Sequence, residues 1–378
     1  MLKPYHFFDW WLNRKRRRTP RPGTANGILL ISCGGLGDTV LFAHVTERFV
    51  SLAEKDEPVT VALRADAMKM AFALPADVRV LGIDFDRLRR DMEYRRRITD
   101  DIFEAHYRLV VHTDYLRHPD LDEALVAAAH APEAVAMEPR PWRKYDARLE
   151  QNRCLYGRLY DSGDPRLNKV VRWSRFADWL TGAEETPPPV ALLPGGGLPP
   201  AETADAPVVV MHPFSAVKQK QSRPALYRRL IETLPDGTRV VITGTQDDLD
   251  ANADFMPLLD LPGVEFDDSV FQDLVPLLRA ARLVVSVDTA LLHLAVAVGA
   301  PTLCLASAAF VGEIVPYDPA IAPDNARFIY HSMPCEGCLG DCILPEESGM
   351  FPCVARLDED RIIAEVRSLI GEIEGGGR

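Results

Sequence analysis

Three loops and one thiol cluster concentrate the residue types that do chemistry. The first loop, Ser32-Cys33-Gly34-Gly35-Leu36-Gly37-Asp38-Thr39, follows an apolar run. Glycines let a chain turn tightly from strand into helix, and a helix start offers free N–H groups and a positive dipole end. Asp38 stands where a carboxylate either acts as a general base or caps the helix. The loop lacks the spacing of the dinucleotide fingerprint, and Leu63-Arg64 close the next strand where that fingerprint needs an acid. The second loop is His212-Pro213-Phe214-Ser215-Ala216-Val217-Lys218-Gln219-Lys220. Ser215 brings a hydroxyl and Lys218 or Lys220 a positive charge, a set suited to phosphate or to an ordinary solvated turn. The third is Val287-Asp288-Thr289-Ala290-Leu291-Leu292-His293. Here a strand ends and a helix begins, so its first N–H groups and the Thr289 hydroxyl suit a diphosphate, with His293 a turn further on.

The thiols are Cys335, Cys338, Cys342 and Cys353, four within 19 residues, with Pro334, Gly337, Gly340 and Pro352 supplying turns. Four thiolates complete a tetrahedral site, so a structural zinc or iron is expected there, with unligated or disulfide-forming cysteines, or a redox role, as alternatives. Cys33, Cys154 and Cys304 are isolated, and an odd total suits a reducing compartment.

These loops need a frame, and the apolar pattern provides one. Gly27–Ser32, Val59–Leu63, Val78–Ile83 and Arg108–His112 read as strands. Helical segments alternate with them near 38–53, 65–73, 121–129 and 166–181. A breaker-rich stretch at 186–207 reads as a linker. A second alternation follows, with strands at 208–212, 239–243, 283–287 and 301–305 and helices at 224–233, 271–280 and 291–298. The pattern predicts an α/β chain with two doubly wound parallel sheets, and a ligand cleft between their carboxyl ends. The expected division is a leader at 1–27, domains at 28–185 and 208–330, and a Cys-rich end with a C-terminal helix at 331–378.

Charge is uneven along the 378 residues. The total is −12, yet residues 1–27 hold seven Lys/Arg (Lys3, Arg14, Lys15, Arg16, Arg17, Arg18, Arg21) and one acid, Asp9. An acidic body argues against a general nucleic-acid binder. No apolar run approaches the roughly 18 residues of a membrane span. The aromatics Phe7, Phe8, Trp10 and Trp11 precede the basic cluster, an order unlike a signal peptide. The default location is cytoplasmic. Residues 1–22 suit either an anionic membrane surface on its inner face or packing of the aromatics onto the body.

Gly34-Gly35-Leu36-Gly37-Asp38, His212-Pro213 with Ser215 and Lys220, Gly244, and Asp288-Thr289 with His293-Leu294-Ala295 and Gly299-Ala300-Pro301-Thr302 occur in an order that resembles glycosyltransferase family 9, the heptosyltransferase-like enzymes. The resemblance runs from about Ile28 to the C-terminus. It implies the two-domain GT-B fold and metal-independent, inverting transfer of a heptose-like sugar, with no cofactor for catalysis. The donor would be a nucleotide sugar, and the acceptor a cell-envelope glycan or glycolipid, as in lipopolysaccharide assembly. By the same resemblance Asp38 is the base and Lys220 neutralises leaving-group phosphate. Ser215, Lys218, Gly244, Asp288, Thr289, Ala290 and His293 line the donor site, and Gly34, Gly35, Gly37, His112, Asp114 and Tyr115 the acceptor side. Cysteines are frequent in this C-terminal region of related transferases. The chain departs from the family at Ala290 and near Ala306, where glycine is usual, and at Ser222, where tryptophan is usual. The motif lysine is left open between Lys218 and Lys220. A nucleotide-sugar epimerase or hydrolase, or a catalytically silent nucleotide-sugar-binding protein, is the alternative.

Overall fold

The computed structural model describes residues 3–191 and 197–375, so residues 1–2, the 192–196 part of the expected linker and the last three residues lie outside the described residues. The chain divides into two compact units. One comprises Met1–Pro165 and Arg172–Pro187, the other Arg166–Val171 and Pro188–Arg378.

The first unit is built on a parallel sheet of β1 (Ile28–Ile31), β2 (Val59–Arg64), β3 (Arg79–Ile83), β4 (Leu109–His112), β5 (Glu133–Met137) and β6 (Arg158–Tyr160), in the order β3-β2-β1-β4-β5-β6. β1 is apolar at every position and wholly buried, as a strand covered on both faces must be. Its partners are in register on both sides, Ile28 opposite Val59 and Leu109. The order of crossovers reverses between β1 and β4. The carboxyl ends of that pair form the crevice where such sheets bind ligands. The loops after β1 and β4 are those of Asp38 and Asp114.

The second unit repeats the plan with β7 (Val208–His212), β8 (Arg239–Thr243), β9 (Val264–Asp267), β10 (Leu283–Val287), β11 (Thr302–Leu305) and β12 (Ala326–Ile329), ordered β12-β11-β10-β7-β8-β9. Here the reversal falls between β7 and β10, whose carboxyl ends carry the lysine loop and the Asp288 loop. The two central strands pair Val285 with Met211 and Ser286 with His212.

Several elements add to the expected set. β6, β9 and β12 are short and only partly buried, so their apolar signal is diluted, and β5 opens on the charged Glu133. The helix Met92–Glu104 is rich in charge, but Asp91 caps it by accepting from the N–H groups of Glu93 and Tyr94, each at 3.0 Å. The expected helix after β2 is a 3-10 run, Asp66–Ala73. The leader forms a helix, Pro4–Arg16, packed on the first unit through Tyr5, Leu12 and Arg16.

One ion pair beneath the first sheet gives that unit an acid limit. Arg108 donates to Glu57 at 2.9 and 2.7 Å, and the N–H groups of Gly27 and Glu54 add bonds of 2.8 and 2.9 Å. The Arg108 bonds, with the two backbone donors, hold the Glu57 carboxyl down at about 2, against an ordinary 4.5. A depressed folded-state value means the stabilisation is complete above pH 4.5 and fades as pH falls toward 2. The Glu57→Gln variant should therefore be less stable than wild type at pH 7, with the difference shrinking below pH 4.5. Urea denaturation at pH 7 and pH 3 measures this, and an equal gap at both would refute it.

Candidate active site

In the first unit, the turn from β1 into the helix Leu36–Val50 is shaped by Asp38. Its Oδ2 accepts the Gly35 N–H at 2.9 Å, closing the helix start from within. A Cβ on Gly34 would stand 2.6 Å from the Asp38 Cβ and 2.7 Å from its Oδ2, so only glycine fits there. Gly37 lies in the first helical turn, and the Asp38 carboxylate remains partly exposed at the sheet edge. Asp114 reaches back to this loop, its Oδ2 accepting the Cys33 N–H at 2.6 Å. Burial chiefly raises the Asp114 carboxyl to about 6, and the charges of Asp122 and Asp38 add to the rise.

The other two residues expected on the acceptor side are engaged by neighbouring side chains and backbone. His112 is fully buried and accepts the Asp114 N–H at Nδ1, 3.3 Å away, which leaves its proton on Nε2, 3.5 Å from Asp122. Burial lowers it to about 4, so it is neutral near pH 7. The Tyr115 ring lies 3.9 Å from the Arg172 guanidinium in a cation–π stack. Both hold the loop after β4 in place.

A cavity of about 1080 Å³ opens beside this edge, walled by Cys33, Arg64, Phe85, His118, Trp142 and Tyr145 among others. Its aromatic corner is a connected set. His118 Nε2 lies 2.9 Å from the Tyr145 hydroxyl, and the Trp142 and Tyr145 rings meet edge to face at 4.5 Å. Sequence reasoning missed these residues because they come from loops far apart in the chain. The one available signal was the aromatic pair Trp142 and Tyr145 in a segment without strand or helix pattern.

In the second unit, the reversal point draws together Lys220, Asp288 and the start of the helix Ala290–Ala297. Buried Lys220 donates to the Asp288 carbonyl at 2.7 Å and pairs with its carboxylate at 2.7 Å, its ammonium 4.8 Å from the centre of the Phe310 ring. Thr289 occupies the N-cap in extended conformation, but no side chain closes the cap. The Thr289 hydroxyl turns back toward the Val287 carbonyl at 3.4 Å. The first amides of this helix thus lack a side-chain acceptor, an arrangement that favours an anion. Ala290 is the first helical residue.

The remaining expected donor residues divide. Lys218 turns away, its ammonium bonded to Asn252 and 3.4 Å from the Ala251 carbonyl. Ser215 receives the Val217 N–H and stays in its own loop. Gly244 lies so close to Phe214 that a Cβ would approach its ring to 2.5 Å, which makes this glycine a packing requirement. His293 is buried, with Nδ1 2.7 Å from the Tyr317 hydroxyl.

The metal centre expected at Cys335, Cys338, Cys342 and Cys353 is corrected by the structure. All four are free thiols around one small apolar cavity with Met333 and Phe351. Among the described residues no group of three or more His, Cys, Asp or Glu is placed to hold a metal ion. The physical reason is packing. Cys353 belongs to the core with Met350, Val354 and Leu357, and Cys335 packs against that core. Burial pushes both thiols up, favouring the protonated form, whereas a metal binds thiolate.

Residues 170–322 match the model of glycosyltransferase family 9 (heptosyltransferase). No curated protein sequence matches the chain. Among solved structures, the family 9 glycosyl transferase of Veillonella parvula is similar at 14% identity, over 92% of this chain and 98% of that one, with a TM-score of 0.67. ADP-heptose LPS heptosyltransferase II of E. coli gives 16% identity over 92% and 99%, with a TM-score of 0.64. The E. coli heptosyltransferase WaaC with ADP-2-deoxy-2-fluoro heptose gives 18% over 81% and 93%, with a TM-score of 0.60. At these identities the structures establish the GT-B fold, with its two parallel sheets flanked by helices. Fold and motif-bearing segment agree: residues 170–322 carry the match to glycosyltransferase family 9, and the chain as a whole has the GT-B fold.

Proposed function

We propose that the chain moves a heptose-like sugar from a nucleoside-diphosphate donor to a hydroxyl of a cell-envelope glycan or glycolipid, with inversion at the anomeric carbon. The observation that carries this reading is the buried Lys220 fixed against Asp288 beside an open helix start. That arrangement offers a diphosphate the Lys220 ammonium, shared with Asp288, together with aligned N–H donors at the helix start. In the first unit, Asp38 takes the proton of the acceptor hydroxyl. The acceptor oxygen then bonds to the anomeric carbon, and the bond from that carbon to the diphosphate breaks with its electrons leaving on phosphate.

On this reading the 28–185 segment serves the acceptor and the 208–330 segment the donor. The aromatic corner of Trp142, Tyr145 and His118 offers flat faces for sugar rings. ADP-heptose, named with the similar E. coli enzyme, is the first donor to try. A sugar-nucleotide donor would fit a cytoplasmic reaction. The test is release of nucleoside diphosphate from ADP-heptose with and without a cell-envelope extract. Release that requires the extract is expected. Equal release without it would replace transfer by hydrolysis, and binding without release would mark a silent binding protein.

A further inference from the structure

We propose that the helix Pro4–Arg16 is a docking face for an anionic lipid bilayer. The helix is amphipathic in an unusual sense, because both of its faces have a job. Tyr5, Asp9, Leu12 and Arg16, spaced by three or four residues, face the first unit. Asp9 bonds buried Arg95, and Arg16 donates to Thr99 and Asp100, each at 2.7 Å. Arg21 extends the anchorage by donating to the carbonyls of Phe103, Ala129 and His130. The helix is therefore fixed in one orientation rather than hanging free.

Its other face is apolar where water would be expected. Phe7, Trp10 and Trp11 are 72, 56 and 48% exposed, and the Phe7 and Trp10 rings stack at 5.8 Å. Three large aromatics held outward on a rigid helix form a patch that a solvated surface does not favour. Amphipathic rings of this kind partition to the membrane interface.

The charge selects the occupant. Arg14, Lys15, Arg17 and Arg18 are exposed at the end of the same helix, Arg14 5.8 Å from the Trp10 ring and Lys15 6.0 Å from the Trp11 ring. The acid of the helix, Asp9, is already bonded to Arg95. Aromatics flanked by unopposed cations complement anionic headgroups, and the attraction grows with each basic residue near the surface. Among the described residues no helix is long and apolar enough to cross a membrane, so the contact is one of lying on the surface. Lys3 and His6, at the start of this helix, line the 1080 Å³ cavity, so docking brings that cavity next to the bilayer.

The test is sedimentation of the full chain with vesicles of phosphatidylcholine, with and without one-quarter phosphatidylglycerol. Wild type should bind the anionic vesicles and bind the neutral ones weakly. Two variants spare the buried face: Phe7→Ala/Trp10→Ala/Trp11→Ala, and Arg14→Gln/Lys15→Gln/Arg17→Gln/Arg18→Gln. Each should lower partitioning by at least about tenfold, with unchanged circular dichroism and urea midpoint. Binding like wild type in either variant would overturn the proposal, as would equal binding of wild type to neutral vesicles. A dimer lost in the aromatic variant, with vesicle binding intact, would identify a second copy of the chain as the true occupant.

Discussion

Replacing Asp38 by asparagine should lower sugar transfer by about 10²- to 10⁴-fold while leaving nucleotide-sugar binding nearly unchanged. Asparagine is the informative choice because the side chain has a second duty. Asp38 Oδ2 receives the Gly35 N–H at 2.9 Å, and an amide oxygen preserves that bond while removing the base. Alanine removes both, so it should show the same loss of transfer plus a stability cost of about 1 kcal/mol from the missing cap. Single-turnover transfer rates, donor titration by calorimetry and urea melts separate the three quantities. Weak donor binding in the asparagine variant would count against the base assignment, and so would transfer at the wild-type rate.

The second large effect lies in the other unit. The Lys220→Met variant leaves the Asp288 carboxylate buried without its cation, and breaking such a pair from one side costs about 3–5 kcal/mol. Adding Asp288→Asn to Lys220→Met removes the stranded charge and should return much of the stability. Transfer should stay low in the double variant, because the positive charge for departing phosphate is still missing. A double variant that regains stability but not turnover would separate the lysine's two roles. Wild-type stability in the single variant, or normal turnover in the double, would refute this account.

The parts of the molecule that were legible in the sequence are those governed by local rules. β1, β7 and β10 are short, mainly apolar runs because both of their faces are covered, and all three are buried throughout, including the polar His212 and Ser286. Loops bearing Asp38 and Asp288 stood out because a glycine turn or a strand-to-helix junction shows in a single segment. Strand order did not show, since crossovers leave no mark on composition. The cavity wall was equally hidden, being assembled from Cys33, Arg64, Phe85, His118, Trp142 and Tyr145 only once the chain has folded.

Two further features turned on side-chain direction. Lys218 and Lys220 bound one tight turn, and only the folded turn sends the first toward Asn252 and the second toward Asp288. The cysteine spacing suggested ligation, but two of the thiols face an apolar core, where spacing has no say.

The Lys220 contact also fixes when disorder is lost. A lysine side chain in water carries roughly 2 kcal/mol of rotamer entropy, and an ordinary surface lysine gives that up as it closes on phosphate. Lys220 has already given it up during folding, held by the carbonyl and the carboxylate of one residue. Its ammonium is thus stationary before any ligand arrives, and on the proposed donor reading a diphosphate would have no lysine tail to immobilise. On that reading, selectivity at this position would depend on fit to a fixed point, and anions with a different phosphate reach should bind more weakly.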